Sequence, residues 1–257
     1  MPSADEISTR EVVEVFHRAL LPQVDTLGVG IECVTRYRPG ERRLLLGGDF
    51  LDVLDTDSDE IAFVIGDVSG HGPLAAAVAL AMRASWRTLA LGAADLGECL
   101  NRMDDVLMSL PRSEELFVTA CVGCIDRDRM TGTVASAGHP PPIVLTDDAV
   151  PVTLKPSPPL GVDRAQRHHE LASFVLGPTW GLLAYTDGLV EGRRAPGSPE
   201  RYGIESLCGW MTERASTFDA DALDQLITDV ESANGGRIDD DIAALLLSSR
   251  PGSVDRP

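Results

Sequence analysis

The chain has 257 residues, of which 44% are hydrophobic and 24% charged, a composition typical of one globular unit with a sizeable core. Its formal net charge of −18 repels phosphate backbones, which argues against a nucleic-acid-binding surface. The acidic N-terminus shows no secretion signal, the longest apolar run (residues 74–82) is far shorter than a membrane span, and the five cysteines are scattered, so we expect a cytoplasmic protein without membrane contact.

The first half of the chain is predicted to contain helices at both ends of a group of strands. Residues 5–21 place apolar side chains near one face of a helix. Pro73 opens a second helical stretch, because proline suits a first turn in which its missing N–H has no partner. The predicted strands cover residues 30–36, 43–54 and 60–68; the helix that Pro73 opens runs to residue 91, and one more helix covers residues 95–110.

The second half returns to strands separated by turn residues and closes with a helix and a strand. The predicted strands cover residues 116–126, 131–137, 142–146, 168–176, 179–186 and 241–248, with a long loop over 188–203 and a helix over 219–232. Strands do not alternate singly with helices, so a parallel sheet is not expected. The order predicts an α+β fold, a sandwich of two mostly antiparallel sheets flanked by helices.

Four aspartates stand at the ends of apolar strands. Asp49, Asp67 and Asp187 each follow such a run, and Asp240 precedes one. Carboxylates that converge in a low-dielectric site repel one another unless cations neutralise them. Oxygen ligands favour Mg²⁺, Mn²⁺ or Ca²⁺ over Zn²⁺. An aspartate after a strand is also an ordinary turn residue, and spacing alone does not show that the four converge.

Four motifs in order carry a resemblance to a known family. They are GGDFLDV at residues 47–53, GDVSGHG at 66–72, YTDGLVE at 185–191 and DDI at 240–242. Together they resemble the motifs of the PPM-type metal-dependent protein serine/threonine phosphatases, and they are most similar to the bacterial SpoIIE-like branch, which includes regulators of sigma factors. The resemblance covers roughly residues 16–248. It implies an α-β-β-α phosphatase domain over residues 23–250, preceded by a helical segment over residues 1–22.

The resemblance also implies a centre of two Mn²⁺ or Mg²⁺ ions between the sheets. If the roles of the family's motif residues are carried over to the matching positions, Asp67 would bridge both metals and the Val68 carbonyl would bind one of them, while Asp187 and Asp240 would hold the other. Asp49 would be a ligand or would orient a metal-bound water. The implied reaction is attack of a metal-bound hydroxide on a phosphomonoester, with Asp49 and Asp67 as catalytic residues.

Several residues near these motifs leave alternatives open. Asp240 is preferred to Asp241 as a ligand, because adjacent residues on a strand face opposite ways. His71 is either a general acid or a residue that shapes the start of the following helix. His139, between Gly138 and a proline, is interpreted as a turn histidine.

The substrate implied by the resemblance is a phosphoserine or phosphothreonine on a regulatory protein, in particular an anti-sigma-factor antagonist. Arg193, Arg194 and Arg201 in the predicted loop are candidates to hold that phosphoprotein from a mobile flap, since arginine binds phosphate in a bidentate manner. They could equally be ordinary surface charges.

Two questions about regulation also stay open. The apolar face of residues 5–21 packs on the protein's own sandwich, or it binds a second copy or a regulatory partner. The alternative function is a PPM-fold regulator with little or no catalytic activity, which binds a signalling partner.

Overall fold

The computed structural model describes residues 19–20, 26–27, 30–40, 47–56, 60–92, 94–127, 130–162, 167–215 and 218–249. Residues 19 and 20 are helical, and Leu20 is buried. The rest of the helix predicted over 5–21 lies outside the described residues, as do the proposed interface on that helix and most of the segment over 1–22.

Eleven strands of the described residues form two antiparallel sheets. The strands are β1 (Thr26–Leu27), β2 (Ile31–Arg38), β3 (Phe50–Asp55), β4 (Glu60–Val68), β5 (Val118–Asp126), β6 (Thr131–Ala137), β7 (Ile143–Leu145), β8 (Ala149–Pro151), β9 (Ala172–Val175), β10 (Gly181–Tyr185) and β11 (Ile242–Ser249). One sheet has six strands in the order β1-β2-β11-β10-β7-β8, and the other has five in the order β3-β4-β5-β6-β9. The predicted α+β fold of two antiparallel sheets is confirmed.

Helices cover the outer face of each sheet. They are α1 (Pro73–Leu91), α2 (Leu96–Ser109), α3 (Gly188–Glu191), α4 (Gly203–Thr212) and α5 (Ala220–Asn234). Buried side chains of α1 and α2, such as Met82 and Met103, pack with Val64 of the five-stranded sheet. Those of α4 and α5, such as Met211 and Ile227, pack on the six-stranded sheet. The layers therefore run helix, sheet, sheet, helix.

Side-chain alternation along the strands builds the core between the two sheets. Phe63 in β4 faces the six-stranded sheet, while its neighbour Val64 faces α1 and α2. Leu245 in β11 belongs to the same inter-sheet core as Phe63, and Leu246 packs against α4 and α5. Both faces of these central strands are covered, which explains why their sequences are apolar throughout rather than alternating.

Among the described residues, α1 is the one helix that is long and apolar enough to cross a membrane on length and composition alone. Its buried residues include Ala76, Ala79, Met82 and Trp86, and they belong to the core shared with the five-stranded sheet. A core helix that packs small side chains against a sheet has the same composition, and this packing accounts for the apolar character of α1.

Some predicted elements differ from those observed. Of the strand predicted over residues 43–54, residues 50–54 belong to β3 and 47–49 form an irregular turn, while 43–46 lie outside the described residues. The long loop predicted over 188–203 is wrong at its start, where the four-residue helix α3 forms. The short strand β8 and the ten-residue helix α4 were not predicted.

Candidate metal centre

The four strand-end aspartates lie at one end of the sandwich. Asp49 precedes β3 and Asp67 lies near the end of β4; β3 and β4 are antiparallel, and Phe50 pairs with Gly66. In the other sheet, Asp187 follows β10 and Asp240 precedes β11, where Tyr185 pairs with Ala244. Antiparallel pairing therefore places each pair of carboxylates at the same edge of its sheet.

A threonine next to Asp187 connects the two sheets at this edge. Thr186 Oγ1 donates a hydrogen bond of 2.8 Å to Asp49 Oδ2 and accepts one of 2.8 Å from the backbone N–H of Ala243. Asp49 is almost completely buried, and its carboxyl group also hydrogen bonds with that of Asp67. The position of Asp49 is thus fixed from both sheets.

Glycine at position 48 allows the turn before Asp49 to approach the end of β4. The Val68 N–H donates to the Gly48 carbonyl at 3.2 Å. A Cβ atom at Gly48 would lie 2.4 Å from the Val68 carbonyl oxygen and 3.0 Å from Asp67 Oδ1. Any other residue would collide with the two groups that the sequence predicts as metal ligands, so the close approach requires glycine.

The aspartates act on one another electrostatically. Burial, followed by the charges of Asp67 and Asp241, raises the pKa of Asp49 well above its ordinary value. Burial and the charges of Asp187 and Asp240 raise the pKa of Asp67 to about 7. The pKa of Asp187 rises to about 6, first through burial and then through Asp240 and Glu191. The cluster therefore concentrates negative charge that a cation would neutralise.

Asp240 and Asp241 take different roles, although both face the cluster. Asp241 Oδ1 accepts a 2.8 Å hydrogen bond from the Gly40 N–H, and the charge of Asp241, after burial, raises the pKa of Tyr37. The argument that strand alternation turns Asp241 away is wrong, because β11 begins only at Ile242. Asp240 is exposed and acts on Asp67 and Asp187, and its role as a ligand stays a prediction.

The residues at this edge match divalent cations in donor chemistry. The available groups are carboxylate oxygens and the Val68 carbonyl, which are donors that Mg²⁺ and Mn²⁺ prefer. The gap that Gly48 leaves beside that carbonyl and Asp67 is consistent with a built site. Within the described ranges, no three His, Cys, Asp or Glu side chains are already spaced to hold a metal ion. Cation binding would therefore draw the mutually repelling carboxylates together.

His139 joins the sheets directly behind the cluster, in a role that the sequence did not predict. Its Nδ1 lies 2.9 Å from Thr119 Oγ1 in β5, and its Nε2 lies 3.1 Å from the Tyr185 carbonyl oxygen in β10. Thr119 pairs with Asp67 across β4 and β5. Burial lowers the pKa of His139 to about 3, so the ring is neutral near pH 7. The interpretation as a simple turn histidine was incomplete.

His71, the other candidate histidine, is exposed and lies just before α1. The described part of the chain provides no hydrogen-bond partner for its ring. Neither a general-acid role nor a role in shaping the helix start gains support, and both stay predictions.

The three arginines of the predicted flap lie in a hairpin that begins close to Asp187. Arg193 and Arg201 face each other in an antiparallel bridge, and Arg201 forms an ion pair with Glu191. The charge of Arg201 lowers the pKa of Asp187, against the larger effect of burial. Arg194 lies 3.9 Å from Glu200 at the surface. Of the three, Arg201 is the one whose charge acts on Asp187, and substrate binding by the three stays a prediction.

Comparisons with known proteins agree with this architecture. A family model described as stage II sporulation protein E (SpoIIE) matches residues 57–250. The structure of the RsbU and RsbW domains of Rv1364c from Mycobacterium tuberculosis has 29% sequence identity and a TM-score of 0.73, with 90% of this chain and 62% of that chain covered. The chain thus spans less than two thirds of that structure.

Two other solved structures support the fold alone, because their sequence identities are low. The SiaA-PP2C domain of Pseudomonas aeruginosa has 20% identity and a TM-score of 0.78, with 95% of this chain and 96% of that chain covered. RsbX in complex with magnesium has 15% identity and a TM-score of 0.63, with 86% and 96% covered.

Proposed function

The chain belongs to the SpoIIE family and has the PPM-type serine/threonine phosphatase fold, and we propose that it is a metal-dependent phosphatase of a phosphorylated regulatory protein. The observation that carries the proposal is the cluster of Asp49, Asp67, Asp187 and Asp240 at one edge of the two sheets, where burial and the charges of neighbouring carboxylates raise the pKa values of all four. A site of this charge is suited to cations, and through them to a phosphate group.

The proposed cofactor is a pair of Mn²⁺ or Mg²⁺ ions. Asp67, the Val68 carbonyl, Asp187 and Asp240 would hold the ions, with Asp49 next to Asp67. Bound there, the ions would supply charge neutralisation and a water of lowered pKa. The magnesium complex of RsbX, which shares the fold, supports divalent-metal dependence.

Residues of the chain itself would orient the reacting groups. The buried Asp49 carboxylate has one oxygen fixed by the Thr186 hydroxyl, and its contact with Asp67 turns the group toward the cluster. Asp187 is the N-cap residue just before α3, where its carbonyl accepts the N–H groups of Val190 and Glu191, and this anchors its backbone. These contacts hold the carboxylates in position before substrate arrives.

Cysteine chemistry is a poor alternative for this site. Burial raises the pKa of Cys99 and of Cys121 to about 12 and that of Cys124 to about 11, so none of the three forms a thiolate near pH 7. A thiol nucleophile needs a lowered pKa. The raised pKa values of these three thiols therefore favour direct hydrolysis, without a covalent cysteine intermediate.

We further propose that the substrate is phosphoserine or phosphothreonine on an anti-sigma-factor antagonist in the cytoplasm. The similarity to the RsbU and RsbW domains of Rv1364c supports a substrate in a regulatory pathway of this kind.

The proposed activity is tested with an aryl phosphate and a phosphoserine protein. We expect turnover with Mn²⁺ or Mg²⁺, none after EDTA, and loss of most of the rate in Asp187→Asn, because one ligand charge is removed. Asp147→Asn, in the exposed turn between β7 and β8, is the matched control. A folded protein without metal-dependent turnover would favour the alternative, a non-catalytic PPM-fold regulator.

A further inference from the structure

A cleft of about 530 Å³ opens beside the aspartate cluster. One wall is the start of the hairpin that follows α3, and the other is the loop between α5 and β11. Its polar lining includes Glu191, Arg193, Asn234, Arg237, Asp239 and Asp240. Because Asp240 belongs both to this lining and to the candidate metal centre, the cleft leads directly to the proposed site of reaction.

Asn234 at the end of α5 holds the two walls together. Its Oδ1 accepts the Arg193 N–H at 2.9 Å, and its Nδ2 donates to the Arg237 carbonyl at 3.0 Å. The walls also lie close together at Gly192, since a Cβ atom added to this residue would lie only 3.1 Å from Ile238 Cδ1. The width of the cleft is therefore set by direct contacts between the hairpin and the loop.

Of the two arginines that line this cleft, Arg237 is the one whose guanidinium has no partner among the described residues. It is exposed, and its guanidinium makes no hydrogen bond or ion pair with the residues that the structure describes. By contrast, Arg193 Nη1 donates to the Ser198 carbonyl at 3.2 Å, and Arg201 is paired with Glu191. In a chain with a net charge of −18, an unpaired guanidinium beside the reaction site is suited to an anionic group of a ligand.

The position of Arg237 favours a group that flanks the phosphoserine rather than the phosphate itself. Two residues, Ile238 and Asp239, lie between Arg237 and Asp240, so the Cα atoms of Arg237 and Asp240 are at most about 10 Å apart. A separation within that limit corresponds to at most three residues of an extended peptide whose phosphate lies at the aspartate cluster.

We propose that the cleft binds the polypeptide on one side of the substrate's phosphoserine, and that Arg237 pairs there with an acidic side chain two or three residues away. The inference rests on the proposed phosphatase function and adds a preference for acidic flanking sequence. Arg237 is thereby a specificity-determining residue, while the aspartates remain the reacting centre.

Synthetic phosphoserine peptides test this preference. Aspartate, alanine or lysine is placed two and three residues from the phosphoserine on either side, and kcat/KM is measured with Mn²⁺. We expect the wild type to prefer the aspartate peptide over the lysine peptide, and Arg237→Gln to lose roughly fivefold on the aspartate peptide. Arg237→Glu should reverse the preference. Arg102→Gln, which removes an exposed arginine paired with Glu98 on α2, is the control.

Two further measurements separate the proposal from its alternatives. Turnover of a small aryl phosphate should be unchanged in the Arg237 variants; an equal loss on both substrates would show that Arg237 holds the phosphate and would overturn the flanking role. Unchanged peptide turnover in Arg237→Glu would also overturn it. Fluorescence anisotropy of a labelled aspartate peptide reports binding without turnover, so weakened binding in Arg237→Glu supports the cleft even if the wild type proves inactive. If the wild type shows no turnover and Arg237→Glu binds the labelled peptide as well as the wild type does, both the cleft proposal and the proposed phosphatase function are overturned.

Discussion

The hydroxyl of Thr186 donates a hydrogen bond of 2.8 Å to Asp49 Oδ2, and so connects the two sheets of the sandwich at the aspartate cluster. Both residues are buried, and the same hydroxyl oxygen accepts the Ala243 N–H. The hydrogen bond lowers the pKa of Asp49, against the larger opposing effect of burial. A single side chain therefore supports the carboxylate, the start of β11 and the end of β10.

Replacing Thr186 by valine removes that hydroxyl while keeping the shape of the side chain. Asp49 and the Ala243 N–H would each lose a partner in a buried setting, which costs about 1–3 kcal/mol in the free energy of unfolding. Thr186→Ser retains the hydroxyl and should lose much less. Urea denaturation of both variants measures the difference, and equal stabilities would show that the hydrogen bond contributes nothing.

The sequence was sufficient to locate the four aspartates, because each adjoins a strongly apolar strand. Glu60–Val68 and Thr131–Ala137 were predicted at their observed bounds, and α1 at residues 73–91, because the signals that define them are local in the sequence. The family motifs then supplied roles for the aspartates that spacing could not.

Contacts between strands that are far apart in the sequence could not be predicted from local patterns. His139 meets Thr119 and the Tyr185 carbonyl, which lie 20 and 46 residues away, so its role follows from sheet topology rather than from local pattern. Helix α4 was missed because Gly203 and Gly209 weaken its helical signal, although Leu207 and Met211 are buried against the sheet. Tertiary packing stabilises this helix despite its low local propensity.

The buried His139 gives the folded protein a specific response to acid. Its pKa is about 3 in the folded state and about 6.5 when exposed in the unfolded chain, so between these values the unfolded state binds more protons. Stability should therefore fall as the pH falls below about 6.5. For the wild type, this contribution amounts to about 1.4 kcal/mol between pH 7.5 and 5.5.

Unfolding of His139→Gln, measured over the same pH range, isolates that contribution. The glutamine has no titrating group, so the stability difference between wild type and variant should shrink by that amount as the solution is acidified. Parallel stability curves would mean that the folded-state pKa of His139 is not lowered. Carrying out both series with excess Mn²⁺ keeps the state of the aspartates comparable.

Asp52 forms a buried ion-pair network that lies within the GGDFLDV motif but outside the aspartate cluster. Its fully buried carboxylate lies 3.2 Å from Arg83 Nη2 and 2.9 Å from Arg87 Nη1, both on α1, and it accepts the Val53 N–H at 2.9 Å. Asp52→Asn would leave both guanidinium groups without their counter-charge. The loss should be about 2–3 kcal/mol, below the value for a fully buried pair because the arginines are partly exposed to water.

Asp55→Asn is the matched control for that substitution, because Asp55 pairs with Arg127 at 2.8 Å in a more exposed position on the same strand. Its loss should stay under about 1 kcal/mol. Chemical denaturation of the two variants tests whether Asp52 stabilises the packing of α1 on β3. Similar losses in both would contradict that role.

Gly48 offers the sharpest test of how the backbone shapes the candidate metal centre. In Gly48→Ala the new Cβ would lie 2.4 Å from the Val68 carbonyl oxygen, closer than non-bonded atoms approach, so the turn or the carbonyl must move. If that carbonyl and Asp67 bind a cation, the affinity for Mn²⁺ measured by calorimetry should fall by about 10- to 100-fold.

Gly209→Ala is the control, because no atom lies within 4 Å of its added Cβ in α4. That control should bind Mn²⁺ normally and gain up to about 1 kcal/mol in stability through higher helix propensity. Unchanged Mn²⁺ affinity in a folded Gly48→Ala variant would mean that cations bind elsewhere.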